Sequence, residues 1–213
     1  MIIVAIDGPA GAGKSTIAKE LAKRLGLKYL DTGAMYRAVT FAAVKTGVNL
    51  EDESAVANLC TNSVMEISDD AISINGLDAT TAIRTSEITK LVSMVATNSL
   101  VRNDLRNRQR DWASKFDGGV IEGRDIGSVV FPNATLKVYL TASPLVRAKR
   151  RVAQSGGDVD QIAAEIAERD QRDSSRSDSP LTQTSDSVNV DTSDRSIDEV
   201  VSQLAILVQS AIG

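Results

Sequence analysis

The chain has 213 residues, 42% hydrophobic content and a formal net charge of -4, which is typical of one globular domain with room for an inserted lobe. It contains no histidine and a single cysteine, Cys60. The composition therefore excludes catalysis by an imidazole, an intrachain disulfide and a multi-cysteine zinc site.

Neither end of the sequence has the character of a targeting or membrane segment. The apolar run at residues 1–6 is short for a signal peptide and has no basic lead, and the charge-free run at residues 200–213 is shorter than the roughly 20 residues of a membrane span. We therefore expect a cytoplasmic protein without a membrane partner. The acidic net charge disfavours nucleic acid as a partner, and we expect a monomer.

Strand-like and helix-like segments alternate along the chain. Strand character is found at residues 2–6, 28–31, 64–67, 71–74, 119–122, 136–140 and 187–190. Helical character is found before Gly26, at residues 34–45, at residues 87–115, from Pro144, from about Asp158, and after the Ser196–Glu199 capping box. This alternation predicts an α/β fold with a parallel sheet core flanked by helices.

Two segments interrupt the alternation. Residues of about 50–95 combine a short helix with two strand-like runs joined by turns, which predicts a small, partly antiparallel lobe inserted into the core. Farther on, Gly156-Gly157 separates two helices, and the Ser-rich stretch at residues 173–187 has no periodicity. We expect both of these segments, Gly156-Gly157 and the Ser-rich stretch, to be mobile.

Residues 8–15 match the phosphate-loop pattern G-x-x-x-x-G-K-[ST] between a predicted buried strand and a helix N-terminus. Backbone N–H groups and the helix dipole bind phosphate at such a position. The residues expected to bind ATP are Gly8, Pro9, Ala10, Gly11, Ala12, Gly13, Lys14, Ser15 and Thr16. Lys14 would bridge the outer phosphates, and the Ser15 hydroxyl would bind Mg²⁺.

The phosphate loop leaves the acceptor open. The Asn-Lys-x-Asp and Asp-x-x-Gly motifs of GTPases are missing from the sequence. A short chain with an inserted lobe and an arginine-bearing segment suits a kinase that closes over a small acceptor. A kinase for UMP, AMP or shikimate is one alternative, and a module that binds nucleotide without turnover is another.

Three further clusters contain candidate acceptor-binding residues. Residues 31–37, Asp-Thr-Gly-Ala-Met-Tyr-Arg, and residues 122–127, Glu-Gly-Arg-Asp-Ile-Gly, each follow a predicted strand, where ligands of open α/β sheets bind. The third cluster ends a predicted helix and consists of Arg169, Arg172, Asp173 and Arg176. Arg169 and Arg172 share a helix face, with Arg176 near the frayed end. Such cations can stabilise a transferring phosphoryl group.

Together these motifs resemble the bacterial cytidylate kinases, which phosphorylate CMP and dCMP. The resemblance covers residues 8–16, 30–37, 83–85, 101–102, 108–110, 122–132 and 169–173. It implies a single domain over residues 1–213 with a discontinuous core, a monophosphate-binding insert at about 50–95 and a lid at about 153–176. It also implies direct in-line transfer from ATP, with Mg²⁺, to give CDP and dCDP.

The resemblance further implies roles for individual residues by motif position. By this resemblance, the acceptor phosphate would be bound by Thr32, Arg37 and Arg124. Cytosine would be recognised by Ser93, Arg102 and Asp125. The sugar or the phosphates would be contacted by Arg169, Asp173 and Arg176. Asp31 and Tyr36 complete the expected acceptor site. The residues expected to act in catalysis are Lys14, Arg124, Arg172 and Arg176.

Overall fold

The computed structural model describes all 213 residues. The chain divides into two compact units. The first, here called the core unit, consists of Met1–Tyr29 and Phe116–Gly213. The second, here called the 30–115 unit, consists of Leu30–Lys115.

Eight strands and eight α-helices make up the fold. The strands are β1 (Ile2–Asp7), β2 (Tyr29–Asp31), β3 (Met65–Ile67), β4 (Ile72–Ile74), β5 (Leu77–Asp78), β6 (Gly118–Gly123), β7 (Leu136–Thr141) and β8 (Val188–Asp191). The helices are α1 (Lys14–Leu25), α2 (Thr32–Thr46), α3 (Glu53–Asn62), α4 (Ser86–Thr97), α5 (Ser99–Lys115), α6 (Pro144–Ser155), α7 (Val159–Ser174) and α8 (Ile197–Ile212). A 3₁₀ turn spans Ala82–Arg84, and a π-helical turn spans Ile126–Val130.

The main sheet has five strands in the order β2-β6-β1-β7-β8. β1 runs parallel to both β6 and β7, and β7 runs parallel to β8. The predicted α/β fold with a parallel sheet core is confirmed. Because Asp7 lies opposite Gly123 in the β1–β6 register, the segments that follow these two strands begin at the same edge of the sheet.

Apolar side chains from the central strands and from α1 and α8 form the core of the first unit. They include Val4, Ile6, Leu21, Val120, Val138, Leu140, Val200 and Leu204. The Ser196–Glu199 capping box starts α8 as predicted. None of the helices combines the length and the apolar character that a bilayer crossing requires.

The 30–115 unit packs helices against a small antiparallel sheet of order β3-β4-β5. Its core includes Ala38, Phe41, Ile72, Ile74, Ile83 and Ile88. The unit contains the whole of the predicted insert at about 50–95 and extends beyond it on both sides. The short strand β5 was not predicted, and a role of the insert in binding a monophosphate stays a prediction.

The prediction of one long helix over residues 87–115 is wrong, because α4 and α5 are separated at Asn98. Its backbone is extended, with φ -70° and ψ 110°. The Asn98 amide oxygen accepts hydrogen bonds from the N–H groups of Leu100 and Val101 at 3.0 and 3.3 Å. These are the bonds of a helix cap, so the asparagine ends one helix and starts the next.

Candidate active site

Three glycines give the phosphate loop (residues 8–16) its conformation. Gly8, Gly11 and Gly13 have φ values of 151°, 76° and 89°, which side chains disfavour. A Cβ atom on Gly8 would lie 2.0 Å from the carbonyl oxygen of Leu140, and one on Gly11 would lie 3.0 Å from Cβ of Arg147. The loop therefore needs glycine for both its conformation and its close packing.

Lys14 is the first residue of α1 and is only 7% exposed. Its ammonium group donates hydrogen bonds to the carbonyl oxygens of Gly8 and Pro9, both at 2.9 Å. Burial, together with the positive charges of Arg124 and Arg169, lowers the pKa of Lys14 to about 7. An anion bound at the loop would stabilise the charged form of this lysine.

Arg124 follows the end of β6, at the sheet edge where it was expected. Its Nε donates a hydrogen bond to the Asp173 carboxylate at 2.8 Å, and Arg176 forms an ion pair with the same carboxylate at 3.3 Å. Burial opposes ionisation of this carboxyl, but the two arginines hold the pKa of Asp173 below its usual range. Three predicted site residues thus form one buried charge cluster in the core unit.

The expected mobile end of α7 is packed instead. The Arg176 side chain is 6% exposed, and the backbone N–H of Leu181 donates to the Asp173 carbonyl at 2.9 Å. The Leu181 side chain is buried. The prediction of a frayed end at Arg176 is wrong, because its ion pair and the buried leucine fold the Ser-rich stretch back onto the protein.

The other two arginines of α7 differ in their surroundings. Arg169 lies close enough to Lys14 and Asp173 for its charge to lower the pKa of both groups. The Arg172 side chain is 49% exposed and lies 3.5 Å from Glu168, one helical turn away. Arg169 therefore belongs to the charge cluster at the phosphate loop, whereas a catalytic role of Arg172 stays a prediction.

Asp7 is a site residue that the sequence analysis missed. Its carboxylate accepts hydrogen bonds from the backbone N–H groups of Ile126 and Gly127 at 2.8 and 2.7 Å. Burial raises the pKa of Asp7 to about 6. The available signal was an acidic residue at the end of an apolar strand, directly before Gly8.

Asp170 and Arg147 form a second contact that the sequence did not reveal. The Asp170 carboxylate accepts a hydrogen bond from the Ala10 backbone N–H at 3.0 Å. The Arg147 guanidinium donates to the Ala10 carbonyl at 3.0 Å and also to Asp170. Helices α6 and α7 pack through Ala148, Ile162 and Ile166, and the ion pair attaches both helices to the phosphate loop.

Four predicted acceptor-binding residues lie at the start of α2 in the 30–115 unit. The Asp31 carboxylate accepts from the Ala34 backbone N–H at 2.9 Å and from the Arg37 guanidinium at 2.9 Å. Thr32 and Tyr36 are buried. The Nε of Arg37 is buried and has no hydrogen-bond acceptor. A phosphate oxygen is a suitable partner for such a donor.

Two further predicted acceptor-binding residues of this unit lie on α4 and α5. Arg102 is 1% exposed and donates to the Ala96 carbonyl at 3.1 Å. Its guanidinium carbon lies 5.7 Å from the centre of the Tyr36 ring, within the range of a cation–π contact. Ser93 is half-buried on α4.

A magnesium site with several protein ligands is not present. No group of three or more His, Cys, Asp and Glu side chains is arranged to hold a metal ion. Mg²⁺ in nucleotide enzymes keeps several waters and binds phosphates with only one or two protein ligands. The exposed Ser15 hydroxyl in the first turn of α1 fits such a minimal role.

The parallel sheet and the glycine-rich loop between β1 and α1 define a P-loop α/β protein. The shikimate kinase of Bacteroides thetaiotaomicron shares this fold with a TM-score of 0.51 and 16% identity over 98% of each chain. An uncharacterized protein from Eubacterium ventriosum ATCC 27560 has a TM-score of 0.59 and 13% identity over 99% of each chain.

Sequence comparison gives the family. The cytidylate kinase family model matches residues 4–210. Cytidylate kinases from Geobacillus sp. (strain WCH70) and Ligilactobacillus salivarius (strain UCC118) are 45% and 46% identical, over 100% and 97% of this chain and 98% and 96% of theirs. The chain belongs to the cytidylate kinase family, so it is a kinase and the resemblance drawn from its motifs is confirmed.

Proposed function

We propose that the protein transfers the γ-phosphoryl group of ATP to CMP and dCMP, giving ADP with CDP or dCDP. The observation that supports this function most directly is the family match over residues 4–210. An intact phosphate loop with a buried Lys14 agrees with it. The alternatives, a kinase for UMP, AMP or shikimate and a module without turnover, are not favoured.

The core unit supplies the positive charge that phosphoryl transfer requires. Catalysis of this reaction depends mainly on positioning and on stabilising charge at the transferring group. Lys14, Arg124 and Arg169 lie near one another, since the two arginines shift the pKa of the lysine. We propose that these cations, with Arg176, stabilise the transition state, and that Arg172 joins them from α7.

Arg124 retains a donor for the acceptor phosphate. Asp173 accepts from its Nε, and the Gly123 carbonyl accepts from one terminal nitrogen at 3.3 Å. The other terminal nitrogen can donate to a phosphate oxygen. We propose that Thr32 and Arg37 bind the same phosphate, with Asp31 orienting Arg37 through the hydrogen bond between them.

The cytosine base requires both donors and acceptors. We propose that Asp125 accepts from the exocyclic amino group and that Arg102 donates to N3 or the carbonyl oxygen, with Ser93 as an additional partner. Tyr36, which contacts Arg102, would support that arginine. Asp173 and the α7 arginines would contact the ribose or the phosphates.

Residues 8–16 would bind the ATP phosphates, and Ser15 would be a ligand of Mg²⁺. The metal ion, when bound, neutralises charge on the outer phosphates. We further propose a cytoplasmic, monomeric enzyme of pyrimidine nucleotide metabolism that acts on free nucleotides, without nucleic acid or membrane partners. The small, soluble nature of the substrates supports this proposal.

A coupled ADP-release assay with CMP, dCMP, UMP, AMP and shikimate tests the proposed function. We expect the highest kcat/KM with CMP and dCMP, and loss of turnover when EDTA removes Mg²⁺. A higher kcat/KM with another acceptor would assign a different kinase activity. Binding of ATP without ADP release on any acceptor would instead indicate a nucleotide-binding module.

A further inference from the structure

The Asp7 carboxylate holds two consecutive backbone N–H groups of a distant segment. One carboxylate oxygen accepts from Ile126 at 2.8 Å, and the other accepts from Gly127 at 2.7 Å. Asp7 is 6% exposed. Its backbone leads directly into Gly8, so the same residue ends β1 and contacts the start of the π-helical turn.

This contact lies where strand pairing stops. The parallel register between β1 and β6 ends with Asp7 opposite Gly123. Residues 123–127, here called the Arg-Asp loop, begin at that pair and contain Arg124 and Asp125. The two hydrogen bonds of the Asp7 side chain take the place of further strand pairing, so they determine where this loop leaves the sheet.

A carboxylate at this position has no equivalent substitute. It accepts two hydrogen bonds at once, whereas an Asn side chain has one acceptor oxygen and a donor group that would face a backbone N–H. The charge is not neutralised by a direct ion pair. The charge of Asp125 acts against ionisation of Asp7, and that of Lys14 favours it.

We propose that Asp7 is a positioning residue that holds the Arg-Asp loop at the phosphate loop, so that Arg124 and Asp125 are correctly placed for the acceptor nucleotide. Asp7 acts through the backbone of Ile126 and Gly127 and does not touch the reacting atoms. This inference rests on the proposed CMP kinase activity. It predicts that loss of the carboxylate impairs use of the acceptor while ATP still binds.

The first test compares wild type with Asp7→Asn in the full-length protein. We expect kcat/KM for CMP to fall about 100-fold, the scale of a displacement of about 1 Å at a reacting centre. Calorimetry with a nonhydrolysable ATP analogue is expected to show an affinity within a factor of about 3 of wild type, since the phosphate-loop amides are unchanged. If the affinity for the ATP analogue falls by the same factor as kcat/KM for CMP, the proposal is overturned.

The second readout is base preference, which loss of stability alone would not change. If Asp7 acts by placing Asp125, Asp7→Asn narrows the CMP/UMP ratio of kcat/KM. The double variant Asp7→Asn with Asp125→Ala is then expected to have the same CMP/UMP ratio as Asp125→Ala alone, because Asp7 affects the ratio only through Asp125 and the two effects are not additive. If Asp125→Ala narrows the CMP/UMP ratio and folded Asp7→Asn leaves it unchanged, Asp7 does not place Asp125 and the proposal is overturned.

Glu199→Gln is the matched control. Glu199 also accepts a backbone hydrogen bond, from Ser196 at 2.8 Å, but it caps the exposed start of α8. This variant is expected to lower Tm without altering kcat/KM or the CMP/UMP ratio. A narrowed ratio in the control as well would show that the effect arises from general destabilisation, and would contradict the proposal.

Two measurements keep the test decisive if Asp7→Asn does not fold or if CMP is not the acceptor. Asp7→Ser removes the carboxylate but keeps a small hydroxyl acceptor at the position that faces the N–H groups of Ile126 and Gly127. We expect the same selective loss for CMP. Amide exchange of residues 126 and 127 needs no substrate and is expected to rise at least 10-fold in Asp7→Asn. Unchanged exchange would overturn the contact itself, whatever the acceptor.

Discussion

The Asp170 carboxylate accepts a hydrogen bond from the backbone N–H of Ala10 at 3.0 Å, although the two residues are 160 positions apart. Arg147 completes the contact by donating to both residues. Since Asp170 lies on α7 beside Arg169, the helix that carries candidate phosphate-binding arginines is attached to the phosphate loop. A movement of α7 away from the phosphate loop would therefore break the hydrogen bond between Asp170 and Ala10.

Loss of Asp170 alone is expected to destabilise the protein more than loss of the whole ion pair. Asp170→Asn leaves the Arg147 charge mostly buried without its charged partner, which costs about 3–5 kcal/mol of unfolding free energy. The double variant Asp170→Leu with Arg147→Met replaces both charges by apolar groups and is expected to recover most of that loss. Urea unfolding of Asp170→Leu, of Arg147→Met and of the double variant gives the coupling energy.

The exposed Arg24–Asp198 pair is the control for this cycle. Its side chains are 41% and 78% exposed at a separation of 2.5 Å, and exposed ion pairs contribute little to stability. Asp198→Asn is expected to leave the unfolding free energy almost unchanged. A double variant at residues 147 and 170 that is as unstable as Asp170→Asn would contradict the role of the unpaired charge.

Substitution of Lys14 is expected to reduce turnover and to change how the stability of the protein depends on pH. Lys14→Ala leaves the fold intact and lowers turnover by about 2–4 orders of magnitude, because charge on the outer phosphates loses its stabilising partner. Near-normal turnover of the folded variant would refute the assignment of the phosphate loop. Lys14→Met separates charge from side-chain volume and serves for the stability measurement.

The folded-state pKa of Lys14 is lowered from 10.5 to about 7. Protonating the buried lysine lowers the stability of the folded state. This cost is absent above the unfolded pKa, grows as pH falls below it, and reaches its full size once pH has fallen through about 7. Wild type is therefore expected to gain stability over Lys14→Met between pH 7 and 10, by at most about 1.4 kcal/mol per pH unit. Urea unfolding at several pH values tests this, and a pH-independent difference would contradict it. Saturating ATP, which stabilises the charged lysine, is expected to flatten the curve.

Local sequence patterns were sufficient to predict the phosphate loop and the parallel sheet. The β-branched strand, the glycine spacing and the capping residues act within a few positions of one another, so they can be read from a single segment. The contacts of Asp7 with Ile126 and of Asp170 with Ala10 span 119 and 160 positions. Such contacts exist only once the strands and helices have packed, and neither carboxylate has a local signature of its partner.

The predictions of one long helix through Asn98 and of a frayed end at Arg176 were wrong for different reasons. The helical pattern of the sequence continues through Asn98. The hydrogen bonds that cap the next helix involve only the Asn98 side chain and the N–H groups of Leu100 and Val101, so the sequence pattern hides the break. Arg176 lies in a Ser-rich segment that predicts solvent exposure, but its ion pair with Asp173 fixes it in place. The roles of the predicted binding residues depend on a bound nucleotide, which sequence patterns do not describe.

The lid predicted at about residues 153–176 is expected to respond to both nucleotides together. Gly156 and Gly157 adopt φ values of 71° and 104°, and they separate α6 from α7, so the backbone there can absorb a change in helix orientation. Hydrogen exchange is expected to show far greater protection of residues 153–176 with a bisubstrate analogue joining adenosine and cytidine through phosphates than with CMP alone. Equal protection by CMP alone would reject a lid that responds to ATP.

Base selectivity is expected to depend on Asp125, which is 5% exposed and directly precedes the π-helical turn. Cytosine offers an amino donor where uracil offers a carbonyl oxygen. A buried carboxylate facing that oxygen loses its partner at a cost of about 1–3 kcal/mol. Asp125→Ala is therefore expected to reduce kcat/KM for CMP more than for UMP. The amide of Asp125→Asn can pair with either base, so this variant is expected to have kcat/KM values for CMP and UMP that are closer to each other than those of Asp125→Ala. If Asp125 serves only to orient Arg124, both substrates lose equally, and an unchanged CMP/UMP ratio in kinetics at matched ATP would exclude base recognition even if overall activity fell.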